Sequence, residues 1–411
     1  MHRRLNATRP ASVRLRSPSM TLALAVCLIA GVLVVSPASA TPRWSAVRSP
    51  RPPGYAPVYL YGVSCPSTTS CFAVGYAYPP NGSVRKTFVE HWDGSTWSIM
   101  TSPNPARSDD TFLNGVACPS TTSCFAVGDF STRRARRVSM TLVEHWNGHS
   151  WSIMTSPNPT GSGNSFLNGV SCRTTRSCFA VGWTREPDSK TLVERWTRNR
   201  WSIVPSPNPT GSQYAVLSGA SCPSTTSCFA VGFAQLSSGG ETLVEHWNGH
   251  NWSIRPRPTP TGTNNSSLSR VSCPSTANCF AVGSYTVGAV TNSLAAHWNG
   301  HTWSITPSPN PARATSTVLS GLSCPTTTQC FAVGFFSLDV PGGSVDKTLV
   351  EHWDGNIWSI MISPDPAFDF NLLALNAVSC HRAASCFAVG DFGGYPSHLV
   401  YSTTTLIERY R

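Results

Sequence analysis

Fourteen cysteines in this chain recur as pairs six residues apart: Cys65/Cys71, Cys118/Cys124, Cys172/Cys178, Cys222/Cys228, Cys273/Cys279, Cys324/Cys330 and Cys380/Cys386. The chemistry open to such pairs is disulfide formation or metal capture. A five-residue spacer is not a zinc-knuckle spacing and no second pair lies nearby, so disulfides are expected and no metal or cofactor is. Glu and His are adjacent at Glu90-His91, Glu144-His145, Glu245-His246 and Glu351-His352, become Glu194-Arg195 and Glu408-Arg409, and are Ala296-His297 once. Neighbouring residues of a strand point to opposite faces, so these pairs cannot converge on one ligand. Their repetition points to hydrogen bonds between repeats instead.

The cysteine pairs lie in a repeat that runs from Cys65 to the C-terminus in steps of 53, 54, 50, 51, 51 and 56 residues. Each copy holds four strand-like segments. In the second copy they are Leu113–Cys118, Cys124–Gly128, Thr141–Trp146 and Trp151–Thr155. The second is a short continuous apolar run, as expected for a strand buried on both faces. Asn147-Gly148 between the last two is a hairpin turn signal. The Pro-rich link after Thr155 cannot continue a ladder. A bridge across each cysteine loop would pin the first hairpin and is worth roughly 2–2.5 kcal/mol in the chain-entropy description.

Both termini carry fragments of the repeat. Trp44–Pro50 matches only the fourth segment and Thr405–Tyr410 only the third. A ring closed by the N-terminal strand accounts for this split, whereas an open solenoid would want distinct caps. The expected fold is therefore all-β, a seven-bladed β-propeller of four-stranded antiparallel blades over residues 41–411, with one hairpin disulfide per blade.

The order of segments resembles the kelch motif, of the type found in the central domain of galactose oxidase. An apolar strand ends in Gly, a loop follows, and then come a strand ending in an aromatic, a short turn, Trp and a Pro-rich link. The period of about fifty suits kelch better than WD repeats. Only one glycine (Gly128, Gly182, Gly232) stands where kelch usually has two. The turn Trp92-Asp93-Gly94-Ser95-Thr96-Trp97 is also similar to the Asp-box of sialidase-type propellers, one residue short. The resemblance implies a secreted bacterial propeller.

Residues 1–40 read as a secretory signal peptide. Arg3, Arg4, Arg9, Arg14 and Arg16 precede the apolar run Thr21–Val35, and Ala38-Ser39-Ala40 forms a small-residue cleavage pattern. Without them, 25 basic against 19 acidic residues leave +6, too mild to suggest nucleic acid. A secreted, extracellular monomer with no membrane span after signal removal is expected.

Only the loop between the second and third segments varies, with lengths of 11, 12, 8, 9, 9, 13 and 14 residues. Variable loops on a rigid scaffold are where binding tends to reside. Within them the candidates are Trp183 with Arg185, Glu186 and Asp188, suited to stacking on a sugar or a protein contact. Arg133, Arg134, Arg136 and Arg137 could hold anionic groups. Asp129-Phe130, Asp391-Phe392 and Tyr395 add further candidates, and Tyr76 and Tyr78 supply aromatics to the first loop. No nucleophile elbow is present, and every cysteine after residue 40 has a partner. The reading is a non-enzymatic module binding an extracellular glycan or protein, with no catalytic residue assigned. The alternative is a carbohydrate-active enzyme, sialidase-like or another glycosidase, which would need Asp129, Glu186, Asp188, Asp339 and Asp391 to converge within ~5–10 Å. A copper oxidase of the galactose oxidase kind would need a spare thiol that is not there.

Overall fold

The computed structural model describes residues 42–80, 82, 84–132, 138–161, 163–185, 189–364, 372–394 and 402–411. Met1–Thr41 and Pro42–Arg411 separate as two units, and the second carries every described strand. The expected signal peptide lies outside the described residues.

Blade 2 shows the unit. Its strands are Ser108–Ser120, Ser123–Thr132, Ser139–Trp146 and Trp151–Met154, antiparallel in that order from the axis outward. The first two run well beyond the apolar cores visible in the sequence, because their ladder continues to Ser108 opposite Thr132. The hairpin glycines adopt positive φ, 102° at Gly94 and 96° at Gly148, as a two-residue turn requires.

Six such blades run from Val58 to Met361. The seventh is built from Leu372–Arg382, Ser385–Gly394 and Ser402–Tyr410, and Trp44–Val47 supplies its outer strand. Trp44 stands opposite Tyr410 and Val47 opposite Ile407. First strands touch their neighbours all the way round, the last reaching the first, so the ring is closed. The protein is a seven-bladed β-propeller. Among the described residues no helix is long and apolar enough to cross a membrane.

Each blade carries its disulfide: Cys65–Cys71, Cys118–Cys124, Cys172–Cys178, Cys222–Cys228, Cys273–Cys279, Cys324–Cys330 and Cys380–Cys386, with Cα–Cα distances of 4.0–4.1 Å. Seven disulfides suit an oxidising compartment. The two halves of each bridge differ in burial. Cys71, Cys124, Cys178, Cys228, Cys279, Cys330 and Cys386, which open the second strands, are at most 1% exposed. Each stands opposite the aromatic that ends the third strand, as Cys71 does Trp92 and Cys386 does Tyr410. Their first-strand partners lie nearer the surface, all of them buried or half-buried. The cysteines drew notice for their chemistry, but these seven are core residues. A strand covered on both faces has no sulfur to offer a ligand, so these seven cysteines serve the scaffold.

Blades pack by one aromatic wedge per junction. Phe72 enters between Trp146 and Trp151 of the next blade, at ring distances of 5.4 and 5.5 Å. Phe331 enters between Tyr410 and Trp44 in the same way, at 4.8 and 5.8 Å, so the N-terminal strand supplies half of the last socket.

A buried glutamate marks each junction but one. Glu144 is fully buried and accepts a hydrogen bond of 2.9 Å from Ser102 in the link leaving blade 1. The same bond joins Ser49 to Glu90, Ser156 to Glu194, Ser206 to Glu245, Ser308 to Glu351 and Ser363 to Glu408. In blade 5 the glutamate becomes Ala296, and the preceding link has Arg257 where the others have serine; Arg257 pairs with Glu241 instead. The two partners are lost together, which identifies them as one device. The role read from the repeated Glu-His pairs, bonding between repeats, is the one the glutamates perform.

Burial pushes Glu90, Glu144, Glu194, Glu245 and Glu351 up from 4.5 to about 8. Stability from a carboxyl raised in the folded state is complete below its ordinary pKa and is lost as the pH rises through the folded one. Burial pushes His91, His145, His246, His297 and His352 down from 6.5, so these weaken the fold only on acidification below that value. The melting temperature is therefore expected to fall between pH ~6.5 and ~8.5. Glu144→Gln, which keeps a partner for Ser102, should raise the value at the alkaline end. A flat profile over that interval would contradict this assignment.

Candidate functional site

Every first strand breaks register beside its second strand. Leu113 pairs with Gly128 and Gly115 with Val127, which leaves Asn114 as the extra residue of a β-bulge. The cause is the close approach at Gly128, where a Cβ would stand 2.0 Å from the Phe112 carbonyl oxygen. A bulge re-aims its side chain. The equivalent residues are Tyr61, Asn168, Ser218, Ser269, Ser320 and Asn376. All seven, together with Arg270, line an axial cavity of about 320 Å³. That is near the lower end of the ~300–1,000 Å³ typical of ligand pockets.

The cavity's polar groups are held by bonds between blades. The side-chain amides of Asn114, Asn168 and Asn376 donate to Leu167 O, Leu217 O and Leu60 O, each at 2.9 Å. Asn114 and Asn376 also donate to Asp129 (3.4 Å) and Asp391 (2.8 Å) on their own second strands. Burial raises these two carboxyls to about 7 and about 6, against the lowering effect of the asparagine bonds.

Blade 1, between these carboxyls, presents aromatics. Tyr76 lies 4.9 Å from Tyr59 and 5.7 Å from Tyr61, and meets Phe112 of blade 2 edge-on at 4.9 Å. Burial raises the pKa of both Tyr61 and Tyr76. The Arg85 guanidinium sits 4.9 Å from the Phe112 ring and 5.6 Å from Tyr78, and pairs with Asp110 at 3.4 Å. Blades 3 and 4 continue the aromatic arc. Trp183 stacks on Phe166 at 4.5 Å and meets Tyr214 at 5.6 Å. The arrangement can stack against flat apolar faces, donate and accept hydrogen bonds at the axis, and offer two protonatable carboxyls.

Trp183, Asp129 and Asp391 therefore lie on second strands rather than in loops. Those strands stay laddered past their glycines, with Asp129 opposite Thr141, Trp183 opposite Thr191 and Asp391 opposite Thr405. Asp129 and Asp391 do not line the cavity themselves but bond to Asn114 and Asn376, which do. Arg185 ends its strand, exposed, and Asp339 is exposed near the tip of the blade 6 hairpin. Glu186, Asp188, Arg133, Arg134, Arg136, Arg137 and Tyr395 lie outside the described residues.

Loop length pointed away from the bulge ring, Tyr59 and Arg85. The signal for the ring was nonetheless present. Between a constant leucine and a usual glycine, one position reads Tyr, Asn, Asn, Ser, Ser, Ser, Asn around the blades.

These features define a seven-bladed β-propeller with a polar cavity on its axis. Among solved structures the chain is similar to a polysaccharide lyase, an ulvan lyase, at 9% identity over 88% of this chain and 95% of that one, with a TM-score of 0.49. It is also similar to a levansucrase mutant from B. megaterium, at 8% identity over 75% and 85% of the two chains, with a TM-score of 0.41. No protein-family model and no curated protein matches the chain.

Proposed function

We propose that this is a secreted, kelch-like propeller, freed of residues 1–40 on export, that binds an extracellular glycan as a monomer at the loop-side mouth of its axial cavity. The observation that carries this reading is the grouping of Tyr59, Tyr61, Tyr76 and Phe112 between Asp391 and Asp129. Aromatic rings present an apolar face to a sugar, and adjacent amides and carboxyls bond its hydroxyls. Recognition rests on the site, since fold alone does not set function.

Glycan-array binding by residues 41–411 tests this. Wild type should bind a restricted set of glycans. Tyr76→Ala should weaken binding about tenfold, in keeping with ~0.5–1.5 kcal/mol for an aromatic contact plus its area. Asp391→Asn, which keeps the shape of the side chain, should also weaken it. A flat array, or full binding by a folded Tyr76→Ala protein, would remove the proposal. A glycosidase reading is favoured by one specific observation, the two raised carboxyls, since a carboxyl protonated near neutrality can act as a general acid. Reducing-end release from an array-positive glycan, abolished in Asp129→Asn and Asp391→Asn, would establish that alternative.

A further inference from the structure

Arg270 occupies the position that is glycine in five other blades and Ala377 in the seventh, directly after the bulge residue Ser269. It is the one charged residue lining the axial cavity among the described residues. Its stem crosses the neighbouring blade, where Cδ would lie 3.1 Å from a Cβ on Gly219, so that glycine makes room for it. Its Nη1 donates to Ser218 O and Ser269 O, both at 2.9 Å, which fixes the guanidinium on the blade 4–5 side of the axis. Nε and Nη2 donate to no described residue. Burial alone pushes its pKa down, with no carboxylate contributing.

The cavity is therefore polarised. On one side the Arg270 fork shares the lining with Ser218, Ser269 and Ser320, whose hydroxyls can turn to donate. On the other, Asn114 and Asn376 have committed their amide hydrogens to Leu167, Leu60 and the two aspartates, so that only their carbonyl oxygens remain to face a ligand. An adjoining cavity shares Tyr61, Asn114, Asn168 and Arg270 with this one and adds small residues and valines, among them Gly115, Gly169, Val116 and Val271. A planar guanidinium with free donors beside hydroxyls matches an oxyanion bound by charge-assisted bonds.

We infer that the axial cavity is an oxyanion site, in which Arg270 and the serines of blades 4–6 hold a carboxylate or sulfate group. This deepens the glycan reading by making the preferred glycan acidic, and rests on it for that step alone. The group could arrive as a free anion or on a sugar, and the arms of the test separate these sources.

Isothermal titration of residues 41–411 at matched ionic strength would use sodium sulfate, sodium glucuronate and glucose. Sulfate and glucuronate should bind, with glucuronate the tighter if the tyrosines take its ring. Arg270→Gly restores the residue other blades carry and should fold; it should weaken both anions at least tenfold. Arg270→Lys, with charge but no fork, should fall between. Tyr76→Ala should leave sulfate within about twofold and weaken glucuronate. Sulfate binding without any sugar binding would support the anion site and sink the glycan reading. Array-positive neutral glycans with no anion binding, or anion binding unchanged in Arg270→Gly, would overturn the anion site.

Discussion

Reducing the seven disulfides should lower the melting temperature by more than ~20 °C and unfold the propeller in mild denaturant. Each bridge closes a short hairpin between the first and second strands of one blade, at a sequence separation of 6 residues. In the chain-entropy description such a loop contributes roughly 2–2.5 kcal/mol. The seven lie in separate blades and share no partner, so their effects should add, to about 15 kcal/mol. That matches the whole stability of a typical domain, ~5–15 kcal/mol. Near-ultraviolet circular dichroism with and without reductant would show it. A shift of only a few degrees would mean that blade packing, not the bridges, carries the fold.

The second large effect concerns closure. Trp44→Ala is expected to cost about 3–5 kcal/mol, the range for truncating a buried aromatic to alanine. Trp44 is only 5% exposed and packs against Phe331 of blade 6 and Tyr410 of its own blade. Its strand carries four ladder pairs with the C-terminal strand. The segment just beyond it brings Ser49 to Glu90 at 2.7 Å, across the junction with blade 1. Deleting residues 42–49 removes all three contributions, so it should cost more than the point substitution and broaden the denaturant transition as blade 7 frays. Equal stability of the truncated and intact chains, measured by urea titration, would show that the closing strand is dispensable.

How much of this was readable beforehand follows from what repeats and what does not. Features copied seven times were legible, because the repeat itself separates signal from accident. The cysteine spacing, the Trp-turn-Trp hairpins and the split of one blade between Trp44–Pro50 and Thr405–Tyr410 each led directly to a structural fact. The spacing did not say which cysteine of a pair is sealed in the core, since that depends on the neighbouring blade. The glutamates were legible as junction residues, though not their partners, since Ser102 and Glu144 are 42 residues apart and meet only when blades stack. The candidate site was less legible. Asp129 and Asp391 were picked out for their charge, and both bond to asparagines that line the cavity. Trp183 was singled out as a loop residue, yet it continues the second strand and stacks on Phe166, because the ladder does not stop at Gly182. The bulge ring was overlooked because a single residue out of register leaves no mark on strand periodicity. It appears only as varied chemistry at one otherwise framed position. Arg270, which looks like a mere departure from glycine in a linear reading, becomes the one charge lining the axial cavity among the described residues once the sheet closes.

Hydrogen–deuterium exchange of residues 41–411, with and without its best array-positive glycan, tests most directly that recognition occurs at the axial mouth. Protection is expected in the first-strand segments around Tyr61, Asn114, Arg270 and Asn376. Protection confined to the opposite face, at the cysteine loops and the Trp-turn-Trp hairpins, would contradict an axial site.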